Sequence, residues 1–189
     1  MTNIAILASG SGTNAQRVSE YFAYHPSIRV KLILSNKPDA YVLNRARQLG
    51  IPSQVFSRKT FYDTHEIPDL LKKNDISFIV LAGFLWLLPE NLLNAYPGRI
   101  VNIHPALLPK YGGKGMYGAR VHEAVIRSGE RESGISIHYV NEKYDAGDVI
   151  FRASCPVMPD DTVDRLAARI HELEYKHYPV VIEEVLKGS

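Results

Sequence analysis

The sequence predicts an α/β fold: a mostly parallel sheet covered by helices on both faces, with an antiparallel strand pair near the C-terminus. Three observations carry that expectation. Short apolar runs alternate with segments of helical period through the first half of the chain. Those runs are continuously apolar, as strands buried on both faces of a parallel sheet are. Beyond Pro105 a glycine- and proline-rich connection intervenes, and the two strand-like runs after it fit an antiparallel pair.

Asn3–Ala8 is an apolar, β-branched strand that stops at Ser9–Gly10–Ser11–Gly12–Thr13–Asn14, a tight loop. From Ala15 to Tyr24, residues Ala15, Val18, Tyr21 and Phe22 recur at helical spacing. The alternation continues with a strand at Val30–Leu34 and a helix at Tyr41–Leu49 closed by Gly50. A helix through Leu70–Leu71 then precedes a buried strand at Phe78–Ala82. Pro89–Ala95 reads as a short helix with proline at its start, and Arg99–Ile103 as a fourth strand. Pro105, Pro109, Gly112, Gly113, Gly115 and Gly118 crowd a connection that is too glycine-rich to be packed helix, before a helix at Ala119–Arg127. In Ile135–Val140, Ile135, Ile137 and Tyr139 alternate with Ser136, His138 and Val140, and Val149–Val157 fits as the antiparallel partner across a loop at Asn141–Asp148. Asp161 or Thr162 caps a last helix running to about Lys187.

At 189 residues, 46% hydrophobic and 22% charged, the chain predicts one folding unit, 1–189, with a full-sized core. Lys plus Arg total 22 and Asp plus Glu 20, so the net charge of +2 offers no electrostatic case for nucleic acid or an acidic membrane surface. Cys155 is the only cysteine, which excludes an intrachain disulfide and a multi-cysteine metal site and suits a reducing cytoplasm. No apolar run approaches the roughly 18 residues that span a bilayer. The N-terminus lacks the basic lead of a signal peptide, so the expectation is a cytoplasmic chain used as written.

Gly10–x–Gly12–x–x–Ala15, between the first strand and the first helix, satisfies the dinucleotide fingerprint in form, with backbone N–H groups brought to a phosphate at a helix N-terminus. The fingerprint also wants an acid about 20 residues further on. The second strand instead ends in Ser35–Asn36–Lys37, and Asp39 comes late, after Pro38. Ser11, Thr13 and Asn14 add side-chain donors, which suits a single terminal phosphate better than a pyrophosphate; a ligand-free tight turn is the bland alternative.

Asn102 and His104, two apart in a strand, share a face at the carboxyl end where open α/β sheets bind ligands. An amide donor beside an imidazole suits a carbonyl under attack, since both can donate to a developing oxyanion and the imidazole can move a proton. A satisfied strand-end histidine is the rival reading. Asp145, in Tyr144–Asp145–Ala146–Gly147–Asp148, is by itself a turn former, and spacing alone does not bring it to His104. His138 reads as a strand residue facing a neighbour, His171 and His177 lie on the last helix without metal-ligand partners, and Cys155 precedes a proline; none is assigned chemistry.

Together, ILASGSGTN at 6–14, LSNKPDA at 34–40, LAGFLWLLP at 81–89, VNIHPALLPKYGG at 101–113, ISIHYVNEKYDAGDVI at 135–150 and ELEYKHYP at 172–179 resemble the folate-dependent phosphoribosylglycinamide formyltransferase family over nearly the whole chain. The resemblance implies a single Rossmann-like domain of formyltransferase fold. It also implies transfer of a formyl group from 10-formyltetrahydrofolate to the amine of 5-phosphoribosylglycinamide in purine synthesis, with no metal and no tightly held cofactor. On the family pattern Asn102 and His104 stabilise the tetrahedral intermediate, while Asp145 supports a charged His104 and orders water. Gly12, Thr13 and Asn14 would hold the substrate phosphate and Glu174 the ribose. Leu85, Trp86, Leu87 and Leu88, with Asn102 and the stretch from Val140 to Asp145, would hold the folate.

Three features depart from the family pattern. Trp86 stands where the familiar enzymes carry arginine, Lys114–Arg120 is longer than the usual connection and lacks its histidines, and Arg58 and Lys59 compete for one basic position. Rival readings are a folate formyltransferase acting on methionyl-tRNA or an amino sugar, whose members usually carry a further C-terminal domain, and a formyltetrahydrofolate hydrolase, which usually has an extra N-terminal one. From other classes come a nicotinamide-dependent reductase and a phosphosugar-binding module without catalysis. Oligomeric state is not legible.

Overall fold

The computed structural model describes residues 1–188. Its strands are β1 (Thr2–Leu7), β2 (Ile28–Ser35), β3 (Ser53–Val55), β4 (Ile76–Leu81), β5 (Ile100–His104), β6 (Glu132–Tyr139) and β7 (Val149–Pro156). The helices are α1 (Thr13–Tyr21), α2 (Val42–Gln48), α3 (Arg58–Asp63), α4 (Glu66–Lys73), α5 (Glu90–Ala95), α6 (Ala119–Arg127) and α7 (Val163–Lys187). Strand order in the sheet is β3-β2-β1-β4-β5-β6-β7. The chain divides into two compact units, residues 1–101 and the part that begins at Asn102.

In the first unit β1 pairs in parallel with β2 and β4, and β2 with β3. Ile4, Ala5, Ile6 and Leu7 are fully buried, as the unbroken apolar run of β1 requires. Two elements were not legible. β3 is three exposed residues, and α3 is six residues whose Ser57 cap accepts from the Thr60 N–H at 3.0 Å. Helix α1 starts at Thr13, two residues before the expected Ala15, because Gly12 already turns the chain.

In the second unit β6 and β7 pair antiparallel, with Ile135 opposite Ala153 and Ile137 opposite Phe151. The alternation in β6 does not separate a wet face from a dry one: Ser133 through His138 are all buried. Ser136 and His138 on that strand instead make hydrogen bonds inside the unit. Thr162 is the cap of α7, accepting from the Arg165 N–H. Among the described residues no helix is long and apolar enough to cross a membrane.

Candidate active site

The glycine loop after β1 has its shape fixed by close packing. Gly12 has φ 74°, and a Cβ there would lie 2.4 Å from Cγ2 of Val42, so only glycine fits. The Val42 N–H donates to the Gly10 carbonyl at 3.1 Å, and Arg45 Nε donates to the Ser11 carbonyl at 2.7 Å. Gly12 is the N-cap of α1, so no side chain caps the helix and Thr13 and Asn14 form its first turn, at the positive end of the dipole. β2 ends at Ser35 without a carboxylate, which removes the ribose contact a dinucleotide reading needs.

Buried Ser9 ties this loop to the segment after β4. Its N–H donates to the Gly83 carbonyl and its Oγ accepts from the Leu85 N–H, both at 3.0 Å. Leu85, Trp86 and Leu87 are half-buried and Leu88 is buried, while Tyr62 Oη donates to the Leu87 carbonyl at 2.8 Å. The indole of Trp86 belongs to a cluster with Phe56, Phe61, Tyr62 and Phe84, its ring centre 5.7–6.4 Å from theirs. Of the two competing basic residues, Arg58 lies against that cluster, its guanidinium 4.8 Å from the Tyr62 ring centre and 5.7 Å from that of Trp86. Arg58, Lys59, Tyr62 and Asp63 line one open cleft.

The second unit brings Asn102, His104 and Asp145 together, and adds a residue the sequence reading passed over. His104 Nδ1 lies 3.5 Å from Asp145 Oδ2, and His138 Nε2 lies 3.6 Å from Asp145 Oδ1. Asn102 Nδ2 is 3.1 Å from His138 Nε2, and His138 Nδ1 is 2.7 Å from the Tyr139 carbonyl. A carbonyl only accepts, so Nδ1 of His138 carries its proton, Nε2 is the acceptor, and Asn102 donates one N–H while keeping the other. By the same logic His104 Nε2–H donates to the Tyr111 carbonyl at 2.7 Å, leaving Nδ1 as the basic nitrogen facing Asp145. The signal for His138 was present in the sequence: it shares its face of the strand with Ser136, between the apolar Ile135, Ile137 and Tyr139.

Local geometry explains how these groups are held. Ser136 Oγ donates to the Ala106 carbonyl at 2.8 Å and accepts from the Leu108 N–H at 3.0 Å, stapling the chain that leaves β5. Asp145 sits at φ 53°, its Oδ2 accepting from the Gly113 N–H at 2.9 Å. Gly147 lets the loop pass the end of β6, since a Cβ there would be 1.8 Å from the Tyr139 carbonyl oxygen. Val140, half-buried, follows directly.

Burial pushes the His104 imidazole below its ordinary range, and this outweighs the opposing pull of Asp145 and of the Tyr111 carbonyl. Its resting form at neutral pH is therefore uncharged. Burial would raise the Asp145 carboxyl, but the His138 and His104 imidazoles beside it and the Gly113 N–H together hold it below the usual range, so it is ionised. Glu174 on α7 is buried at 5% exposure, and its Oε2 lies 3.0 Å from His171 Nδ1, which raises that imidazole. Among the described residues no group of three His, Cys, Asp or Glu side chains could hold a metal ion.

An amide with a spare N–H, a neutral imidazole and an ionised carboxylate meet at the carboxyl end of a buried strand, groups of the kinds that acyl transfer uses. The chain belongs to the formyl transferase family, whose model matches residues 2–182. It is 39% identical over 195 residues to a phosphoribosylglycinamide formyltransferase of Haemophilus influenzae, covering 100% of this chain and 89% of that protein. A chloroplastic phosphoribosylglycinamide formyltransferase of Arabidopsis thaliana is 41% identical over 95% of this chain, which spans 63% of the plant protein. The crystal structure of phosphoribosylglycinamide formyltransferase from Streptococcus pneumoniae TIGR4 matches with a TM-score of 0.87 at 40% identity, over 98% of this chain and 99% of that one.

Proposed function

We propose that this chain transfers the formyl group of 10-formyltetrahydrofolate to the amine of 5-phosphoribosylglycinamide in purine biosynthesis. The observation that carries the reading is the approach of His104 and Asp145, with Asn102 and His138 beside them, in a member of the formyl transferase family. The neutral amine attacks the formyl carbon, a C–N bond forms, and the carbonyl electron pair moves to oxygen. Asn102 donates its spare N–H to that oxygen, and His104, once protonated, adds positive charge beside it. The ammonium proton passes through water held by Asp145 to His104, which is how the imidazole gains its charge, and from there to N10 of the folate; the oxygen's electron pair then re-forms the carbonyl as the bond from carbon to N10 breaks.

Gly12, Thr13 and Asn14 hold the substrate phosphate in this reading, and Glu174 accepts from a ribose hydroxyl. Leu85, Trp86, Leu87, Leu88, Asn102 and Val140 hold the folate, mainly through main-chain groups. The chain acts as one catalytic domain in the cytoplasm on these two small molecules, without metal, nucleic acid or membrane. Incubation with the ribonucleotide and 10-formyltetrahydrofolate tests this, with folate release followed by absorbance. Release that depends on both substrates supports it; release with methionyl-tRNA or an amino sugar in place of the ribonucleotide would move the acceptor assignment.

A further inference from the structure

His104 is held on its outer side by a backbone carbonyl in an unusual place. Tyr111, whose carbonyl accepts the Nε2–H of His104 at 2.7 Å, has φ 56°, in the left-handed region that residues with a β-carbon seldom occupy. Its own hydroxyl provides an anchor. Tyr111 Oη donates to Glu130 Oε1 at 3.0 Å, and the same oxygen accepts from Lys110 Nζ at 2.8 Å. One carboxylate, between α6 and β6, therefore grips two consecutive residues of the loop after β5. Lys110 and Tyr111 hold the Glu130 carboxyl below its ordinary range, so the grip is ionic at neutral pH.

We infer that Tyr111 and Glu130 are positioning residues for His104: their side-chain clasp sets the Tyr111 carbonyl, which fixes the imidazole proton on Nε2 and keeps Nδ1 as the base beside Asp145. Neither side chain is assigned a contact with substrate. A carbonyl can accept but cannot donate, so it selects one tautomer of a neutral imidazole and also favours the charged form the reaction passes through. The remaining charged or titratable groups acting on His104 are Asp145, His138 and Glu174, with His122 on α6 facing the same cluster. None of them contacts Nε2; at Nδ1 the Asp145 carboxylate, 3.5 Å away, draws the proton of the neutral ring the other way, so the Nε2–H tautomer rests on the closer Tyr111 carbonyl. The inference depends on the assignment of His104 as the proton carrier, although its primary test does not.

The test is the ring-nitrogen NMR spectrum of His104 in the free, full-length protein across pH, for wild type, Tyr111→Phe, Glu130→Leu and Glu130→Gln. Wild type should show one tautomer with the proton on Nε2. Tyr111→Phe and Glu130→Leu, by two separate changes, should each give mixed tautomers and a lower His104 pKa. In kinetics the acid limb of kcat/KM should move to lower pH, with kcat reduced about tenfold and KM for the ribonucleotide nearly unchanged. Glu130→Gln keeps an acceptor for the Tyr111 hydroxyl and should stay within about twofold of wild type. An unchanged His104 spectrum in whichever of the two disrupting variants folds would overturn the inference. So would a tautomer shift in Glu130→Gln as large as in Glu130→Leu. If the tautomer moves as expected while wild type transfers no formyl group, the clasp stands and the functional reading fails.

Discussion

A neutral imidazole whose one N–H is already given to a carbonyl cannot stabilise an oxyanion until it takes up a proton, and His104 is in that state. Removing one oxyanion-stabilising group typically costs about 100- to 1000-fold in turnover, so His104→Ala and Asn102→Ala should each lose at least that much kcat, with ribonucleotide binding retained. If His104 and Asp145 act as the pair proposed above, the double variant should be little worse than the worse single variant; fully multiplied losses would separate the two roles. The same burial makes a stability prediction. His104 and His122 both titrate below their ordinary 6.5 in the folded chain, so the unfolded chain binds more protons between the two values. Stability should therefore fall as pH drops below 6.5, and replacing both imidazoles with Gln should flatten that part of a denaturation-midpoint profile. Asp145, held below 3.8, contributes its own loss only at more acid pH. Of this cluster, the residue types and the shared face of Asn102 and His104 were legible in the sequence. The approach of Asp145 was not, since it depends on how the loop before β7 folds back, and the Tyr111 carbonyl leaves no mark in a sequence.

Among the elements, the glycine loop and the segment after β4 show where substitution should act. At Gly12 the left-handed backbone alone costs a β-carbon about 1–2 kcal/mol, and the collision with Val42 adds to it. Gly12→Ala should lower thermal stability and raise KM for the ribonucleotide more than KM for folate; equal rises would count against the phosphate assignment. Trp86→Arg is not a mild exchange for the fold. It removes an indole from a five-ring cluster and sets a second cation beside Arg58. Turnover should survive if main-chain groups read the pterin, while unfolding should come about 1–3 kcal/mol earlier. Complete loss of folate binding in a folded variant would show that the side chain has taken over recognition. Elements with long apolar patterns were readable to within two or three residues of their observed ends. β3 and α3 were not, because three exposed residues and a six-residue helix carry too little periodicity to register.

For the molecule as a whole, alternating strands and helices were enough to give the α/β class, and the change after Pro105 marked the antiparallel pair β6 and β7. What composition could not supply was chemistry, since a net charge of +2 and one cysteine fit many enzymes. Chemistry enters through a polar strand end, an aspartate that only the fold brings to it, and membership of the formyl transferase family. The most direct measurement is product formation by the purified chain from 5-phosphoribosylglycinamide and 10-formyltetrahydrofolate, with His104→Ala as control. Formylated ribonucleotide and tetrahydrofolate should appear in equal amounts, only when both substrates are present, and at least about 100-fold faster than with the variant. Folded wild-type protein that makes no formylated ribonucleotide, or that releases formate from the folate without an acceptor, would contradict formyl transfer as its function.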